Sequence, residues 1–236
     1  MALFIVTVKQ KKPVVSNALL EDLRTKCPNI QELSFAHINL GDISANKLPR
    51  SLTTLKLASC GWSVNWLDDA DLPNLQNLAL ENCTRIDDAE LKPVVKFSTL
   101  ESLMMKGLYR VKDDGIRYLA ENLTVLKSLE LDEFRITDLA VHHICRNMAR
   151  LETLKLMACQ SLTNSSVKTV CDTLSALKVL DISRNDNMGQ DCLKSFLLMK
   201  NTGTVICTFD QEKIDENLPE NLRWKITRTL TIKPNS

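Results

Sequence analysis

Two arrangements in this chain hold residue types that perform chemistry. His142 and His143 precede Cys145 by three and two residues, which would offer imidazole and thiolate ligands to zinc. The carboxylate doublets Asp87-Asp88 and Asp113-Asp114 would suit general acid–base work. The surroundings favour neither. No C-x-x-C pair or second ligand cluster completes a tetrahedral set, and helical spacing turns Cys145 inward while both histidines ride the outer face. The aspartate doublets recur once per internal repeat at helix starts, where side-chain acceptors meet orphan N–H groups and the helix dipole favours negative charge. A Gly-rich phosphate loop, a G-x-S-x-G elbow and an H-E-x-x-H motif are all missing. The sequence predicts a protein that is not an enzyme, with no metal and no cofactor.

The elements that position these residues come from a repeat. The pattern Leu-x-x-Leu-x-Leu, then Cys, Asn or an apolar residue three positions on, opens at Ile30, Leu52, Leu75, Leu100, Leu126, Leu151 and Leu177, at spacings of 22, 23, 25, 26, 25 and 26 residues. All 21 residues at its three fixed apolar positions are Leu, Ile, Phe or Met, in a chain that is 44% hydrophobic. Spelling and period are those of a leucine-rich repeat, whose unit runs about 20–29 residues. Between the strands, apolar residues return at i, i+3, i+4 and i+7: Ile116, Leu119, Ala120, Leu123; Val141, Ile144, Cys145, Met148; Val167, Val170, Cys171, Leu174. That is one buried helical stripe. The last five helical segments share a register, starting at Asp87, Lys112, Thr137, Thr163 and Gly189. The predicted fold is α/β: a leucine-rich-repeat solenoid, or horseshoe, with short parallel strands on the concave side and helices on the convex side. We expect one continuous array, with residues 1–29 as an N-terminal capping repeat (Leu3, Val6 and Val8 imitate a strand), 30–210 as the solenoid and 211–236 as a C-terminal cap or tail.

Bulk properties exclude several function classes. Thirty Lys+Arg against 29 Asp+Glu leave a net charge of +1, so nothing draws the chain to nucleic acid or to a membrane surface. No apolar run approaches the roughly 18 residues of a membrane span, and the residues from Met1 to Val8 do not read as a signal peptide. Eight cysteines would allow disulfides, but Cys60, Cys83 and Cys159 take the ninth repeat position and Cys27, Cys145 and Cys171 the inner helix face. Free thiols in a reducing compartment, cytoplasm or nucleus, are expected.

A solenoid of this kind leaves alternate strand positions open to solvent. Positions 3, 5, 7 and 8 of each repeat should point there, and a target protein is the expected partner on that concave face. The candidate contacts are Lys56, Glu81, Met104, Lys106, Glu130, Asp132, Glu133, Lys155, Met157, Asp181 and Arg184. The fifth repeat is acidic, and the thioethers of Met104 and Met157 suit an adaptable surface. Tyr109 and Arg110, beside the strand-to-helix turn, lack a core duty and belong to types enriched in interface hot spots. Phe134 takes an inward ninth position, and Trp62 and Trp66 replace the long helix that the second repeat is too short to hold. Lysines neutralising carboxylates across neighbouring strands would explain the same charges without a partner.

Ninth-position Cys followed by x-x-Ile/Leu and Asp/Thr, as in Cys83-Thr-Arg-Ile86-Asp87 and Cys159-Gln-Ser-Leu162-Thr163, marks the cysteine-containing subtype. With Lys26-Cys27-Pro28-Asn29, Leu48-Pro49-Arg50-Ser51-Leu52 and Tyr109-Arg110-Val111, it resembles the arrays of F-box/leucine-rich-repeat proteins over roughly residues 18–200. The resemblance implies a non-catalytic target-recognition subunit of an SCF-type E3 ubiquitin ligase. The family's F-box binds the Skp1 adaptor, and the residues before Ser16 do not read as one. A Skp1–cullin partner is therefore expected only if an F-box precedes this chain. The rival is a stand-alone scaffold, inhibitor or assembly factor.

Overall fold

A computed structural model describes residues 5–9, 15–61, 66–189, 191–196 and 204–206. The chain divides into two compact units, residues 1–110 and 111–236. In the first, strands β1 (Ile5–Lys9), β2 (Glu32–Ala36), β3 (Thr54–Ala58), β4 (Asn77–Glu81) and β5 (Ser102–Lys106) pair in chain order, all parallel. Helix α1 (Asn17–Lys26) connects β1 to β2. In the second, β6 (Ser128–Asp132), β7 (Thr153–Met157), β8 (Val179–Asp181) and β9 (Thr204–Ile206) do the same. Its helices are α2 (Asp113–Asn122), α3 (Asp138–Asn147), α4 (Asn164–Thr173) and the short α5 (Cys192–Phe196).

Register follows repeat position. Leu33 pairs with Leu55, Leu55 with Leu78 and Leu78 with Leu103; Leu129 pairs with Leu154 and Leu154 with Leu180. All 21 fixed apolar residues are buried, none more than 3% exposed. A one-residue slip would carry each leucine to the solvent face, so burial of this set specifies the pairing. Val6 pairs with Leu33 and Val8 with Phe35, the alignment that the imitation of the repeat by Leu3, Val6 and Val8 predicts. Val205 likewise pairs with Leu180; residues 211–236, the expected cap or tail, lie outside the described residues.

Repeat length governs the connecting segment. Among the described residues, repeats of 22 and 23 residues, opening at Ile30 and Leu52, hold 3-10 turns, Ala45–Lys47 and Trp66–Asp69. The latter buries Trp66, whose indole N–H donates to the Ile43 carbonyl at 2.6 Å, as its packing role requires; Trp62 lies outside the described residues. Repeats opening at Leu100, Leu126 and Leu151 hold ten-residue α-helices with the apolar stripe buried. The repeat opening at Leu75 departs from the shared helical register. It has 25 residues, like the one opening at Leu126, yet forms a 3-10 turn, Lys92–Lys96. Counting from Asp88, Pro93 falls where Tyr118 falls in α2 counting from Asp113, and a proline there has no N–H to give to the preceding turn and crowds its carbonyl.

The strands of the seven repeats end in one geometry. The eighth residue of all seven repeats (His37, Ser59, Asn82, Gly107, Glu133, Ala158 and Arg184) is left-handed, with φ between 50° and 64°. That conformation costs a non-glycine residue about 1–2 kcal/mol. The N–H groups of His37, Ser59, Asn82, Glu133 and Ala158 offset part of it by donating to carbonyls of the next repeat at 2.7–3.0 Å. The turn then drives the ninth side chain inward. Cys60, Cys83 and Cys159 point their thiols at the carbonyls of Phe35, Leu57 and Leu131 in the preceding repeat, at 3.5–3.7 Å. Asn185 does so more strongly: its amide donates to the Leu156 and Ile182 carbonyls at 2.6 and 2.7 Å and accepts the Cys159 N–H at 2.7 Å. Phe134 fills its own ninth position at 1% exposure.

Candidate functional site

The strands leave one face open in each unit, because burial alternates along them. In the second unit, the fifth repeat positions, carried on β6, β7 and β8, are Glu130, Lys155 and Asp181, adjacent in register. Lys155 Nζ meets Glu130 Oε2 at 2.7 Å, with both side chains partly exposed. Asp132, two residues on from Glu130, accepts a hydrogen bond from Arg184 Nη2 at 2.5 Å. Met157 is half-buried and in register with Asp132. Two expected contact residues are withdrawn from solvent. Asp132 is only 4% exposed, and Asp181, 8% exposed, accepts the N–H of Ser183 at 3.0 Å. Their carboxylates serve the strand ends rather than a passing partner, while Glu130, Glu133, Lys155, Met157 and Arg184 remain reachable.

In the first unit, Lys56 Nζ meets Glu32 Oε1 at 2.7 Å, and Asn77 Nδ2 donates to Thr54 Oγ1 at 3.2 Å. Lys106 is the register partner of Glu81, and Met104 that of Ala79; Glu81, Met104 and Lys106 are all half-buried. Tyr109 is 44% exposed. Arg110 is not a bare cation: its Nη2 lies 3.3 Å from Asp87 Oδ2. Of the thirteen candidates, six lie in the first unit, with Tyr109 and Arg110 beyond the end of β5, and seven in the second, with Asp132 and Asp181 buried.

Comparison with known proteins fits this geometry. No family model matches the chain. Over 101 residues, 41% of this chain, it is 36% identical to F-box/LRR-repeat protein 12 of Bos taurus and equally to that of Homo sapiens. The match spans 31% of each relative's own length. A solved internalin from Listeria monocytogenes superposes over 93% of this chain and 71% of its own, with a TM-score of 0.54 and 17% identity, a likeness of fold. The chain has the leucine-rich-repeat solenoid fold.

Within these leucine-rich repeats, Asp and Asn side chains at helix starts bind neighbouring repeats together. Asp87 caps its own turn, accepting the N–H groups of Ala89 and Glu90 at 3.0 and 3.2 Å. Asp113 instead caps its neighbour: it accepts the Thr137 N–H at 2.8 Å and the Thr137 hydroxyl at 2.6 Å. Asp138 repeats the contact with Thr163, at 2.9 and 2.6 Å, and adds the Ser166 hydroxyl. Asn164 accepts the Gly189 N–H at 2.9 Å, and in the first unit Asn17 accepts that of Ser44 at 2.9 Å. Helix α2, for which a side-chain cap was expected, has Lys112 at its N-cap with no side-chain cap bond. Thr137 and Thr163 accept from Leu139 and Ser165 as capping residues do. Burial raises Asp138's carboxyl, yet its hydroxyl and N–H donors outweigh that and hold it below the ordinary value.

The thiols are correspondingly quiet. Desolvation pushes Cys83, Cys159, Cys171 and Cys192 up to about 12 and Cys145 to about 11, so little thiolate exists at neutral pH. Seven cysteines are free among the described residues. His142 and His143 stand edge to face with ring centres 6.1 Å apart, on the more exposed side of α3 while Cys145 is buried. Among the described residues, no three His, Cys, Asp or Glu side chains are grouped to hold a metal ion. No described helix is long and apolar enough to cross a membrane.

Sequence reasoning missed three features. The inter-repeat caps were signalled by Thr, Ser or Gly following an apolar residue one period after an Asp or Asn. Arg184's reach to Asp132 was signalled by Ala158, the small residue at the intervening eighth position. A side chain at Gly107 would meet Asn82 Oδ1 at 2.2 Å, and the only sequence sign was the lone glycine in that column.

Proposed function

We propose that this leucine-rich-repeat chain is a non-catalytic protein-binding module that recognises a target protein on its open strand faces. We read it as the target-recognition part of an SCF-type E3 ubiquitin ligase, acting in ubiquitin-dependent degradation within the cytoplasm or nucleus. The observation that carries this reading is the 36% identity to F-box/LRR-repeat protein 12 over 101 residues. The strand faces support the binding part. They present charged, amide and thioether groups held by a rigid register, and rigid presentation lowers the ordering cost of association. The module contributes affinity and orientation, and the transfer chemistry belongs to other subunits.

The test uses the protein as expressed from its own locus, whatever precedes or follows this chain. Affinity purification under reducing conditions should bring down Skp1 and a cullin together with a target whose abundance rises when the protein is depleted. Target capture with neither Skp1 nor cullin would overturn the ligase reading and leave the stand-alone scaffold, inhibitor or assembly factor.

A further inference from the structure

We draw no further inference here: the strongest candidate, the acidic β6–β8 strand face of the second unit, belongs to the site already described, its Glu130, Asp132 and Asp181 carboxylates are met by Lys155, Arg184 and the Ser183 N–H, and nothing in the structure shows what covers it.

Discussion

Arg184 and Asp132 lie 52 residues apart in sequence and join at 2.5 Å, Nη2 to Oδ1, across the whole repeat between them. The pair is lopsided: Asp132's side chain is 6% exposed, Arg184's 47%. A buried carboxylate that loses a charge-assisted donor bears a desolvation penalty of about 1–3 kcal/mol, whereas a half-exposed guanidinium recovers water. We therefore expect Arg184→Ala to destabilise the fold by that amount, and by clearly less in an Asp132→Ala background. Urea midpoints of the four proteins give the coupling. Equal losses in both backgrounds would show that the contact contributes nothing.

Gly107 is required by its neighbour more than by its own φ. Ala158 occupies the same repeat position at φ 51°, so alanine tolerates this turn. At Gly107, however, a Cβ would sit 2.2 Å from Asn82 Oδ1 and 3.6 Å from Asn82 Cα. Gly107→Ala should destabilise by about 1–3 kcal/mol, the usual range for overpacking, and Asn82→Ala should recover most of that loss. If the double variant melts no higher than Gly107→Ala alone, backbone strain rather than the amide is responsible.

The inter-repeat caps make a pH prediction. Asp138 holds a depressed carboxyl, since its bonds from Ser166 and Thr163 more than offset desolvation, relative to an ordinary value of 3.8. A group lowered in the folded state stabilises fully above its unfolded value, and that stabilisation is lost as pH falls through the folded one. Asp138→Asn keeps an acceptor for the Thr163 N–H, as Asn164 does for Gly189, but cannot titrate. The stability gap between parent and variant, followed by circular dichroism, should be flat at neutral pH and shrink below about pH 4. A gap unchanged down to about pH 2.5 would remove Asp138 from the acid response.

Core register is open to a plain truncation test. Leu129 is 2% exposed at the fourth position of its repeat and pairs with Leu154. Leu129→Ala should cost about 2–5 kcal/mol. Ser128→Ala, one residue away on the open face, should cost less than about 1 kcal/mol. Similar urea midpoints for the two variants would contradict the assigned alternation.

How much of this was legible beforehand depends on whether the cause was local. The 21 apolar positions, the inward cysteines and the helical stripes follow from period and residue type, because a solenoid repeats one environment. Pro93 was visible, but its effect was hidden by treating five segments as equivalent; a single missing N–H changed the helix type. Asp132 and Asp181 look like open-face charges by position alone. Their burial depends on Arg184 crossing a repeat and on Ser183 turning its N–H back, neither of which is encoded in spacing. Asp113 was recognised as a capping group, yet the helix it serves is the next one, as with Asp138, since stacking places each acceptor nearer its neighbour's N-cap.

For the binding face, Asp132 is a poor target for charge reversal, since Asp132→Lys would bury a cation against Arg184. Glu130 and Lys155 are the better pair: they touch at 2.7 Å with side chains 25% and 35% exposed, and exposed pairs of this kind contribute about 0–1 kcal/mol to folding. Exchanging them, Glu130→Lys with Lys155→Glu, keeps net charge and an ion pair while reversing the local pattern that a partner meets. Like charges brought together across an interface cost several kcal/mol. We expect a stability loss below about 1 kcal/mol, because Lys155→Glu faces Asp181 across β7 and β8, and at least a tenfold loss of target capture, which by the usual conversion is about 1.4 kcal/mol. The same exchange at Lys168 and Asp172 on α4, also an ion pair at 2.6 Å, should leave capture intact. Should the α4 exchange abolish capture while the β6–β7 exchange does not, recognition takes place on the helices and the strand face is scaffold.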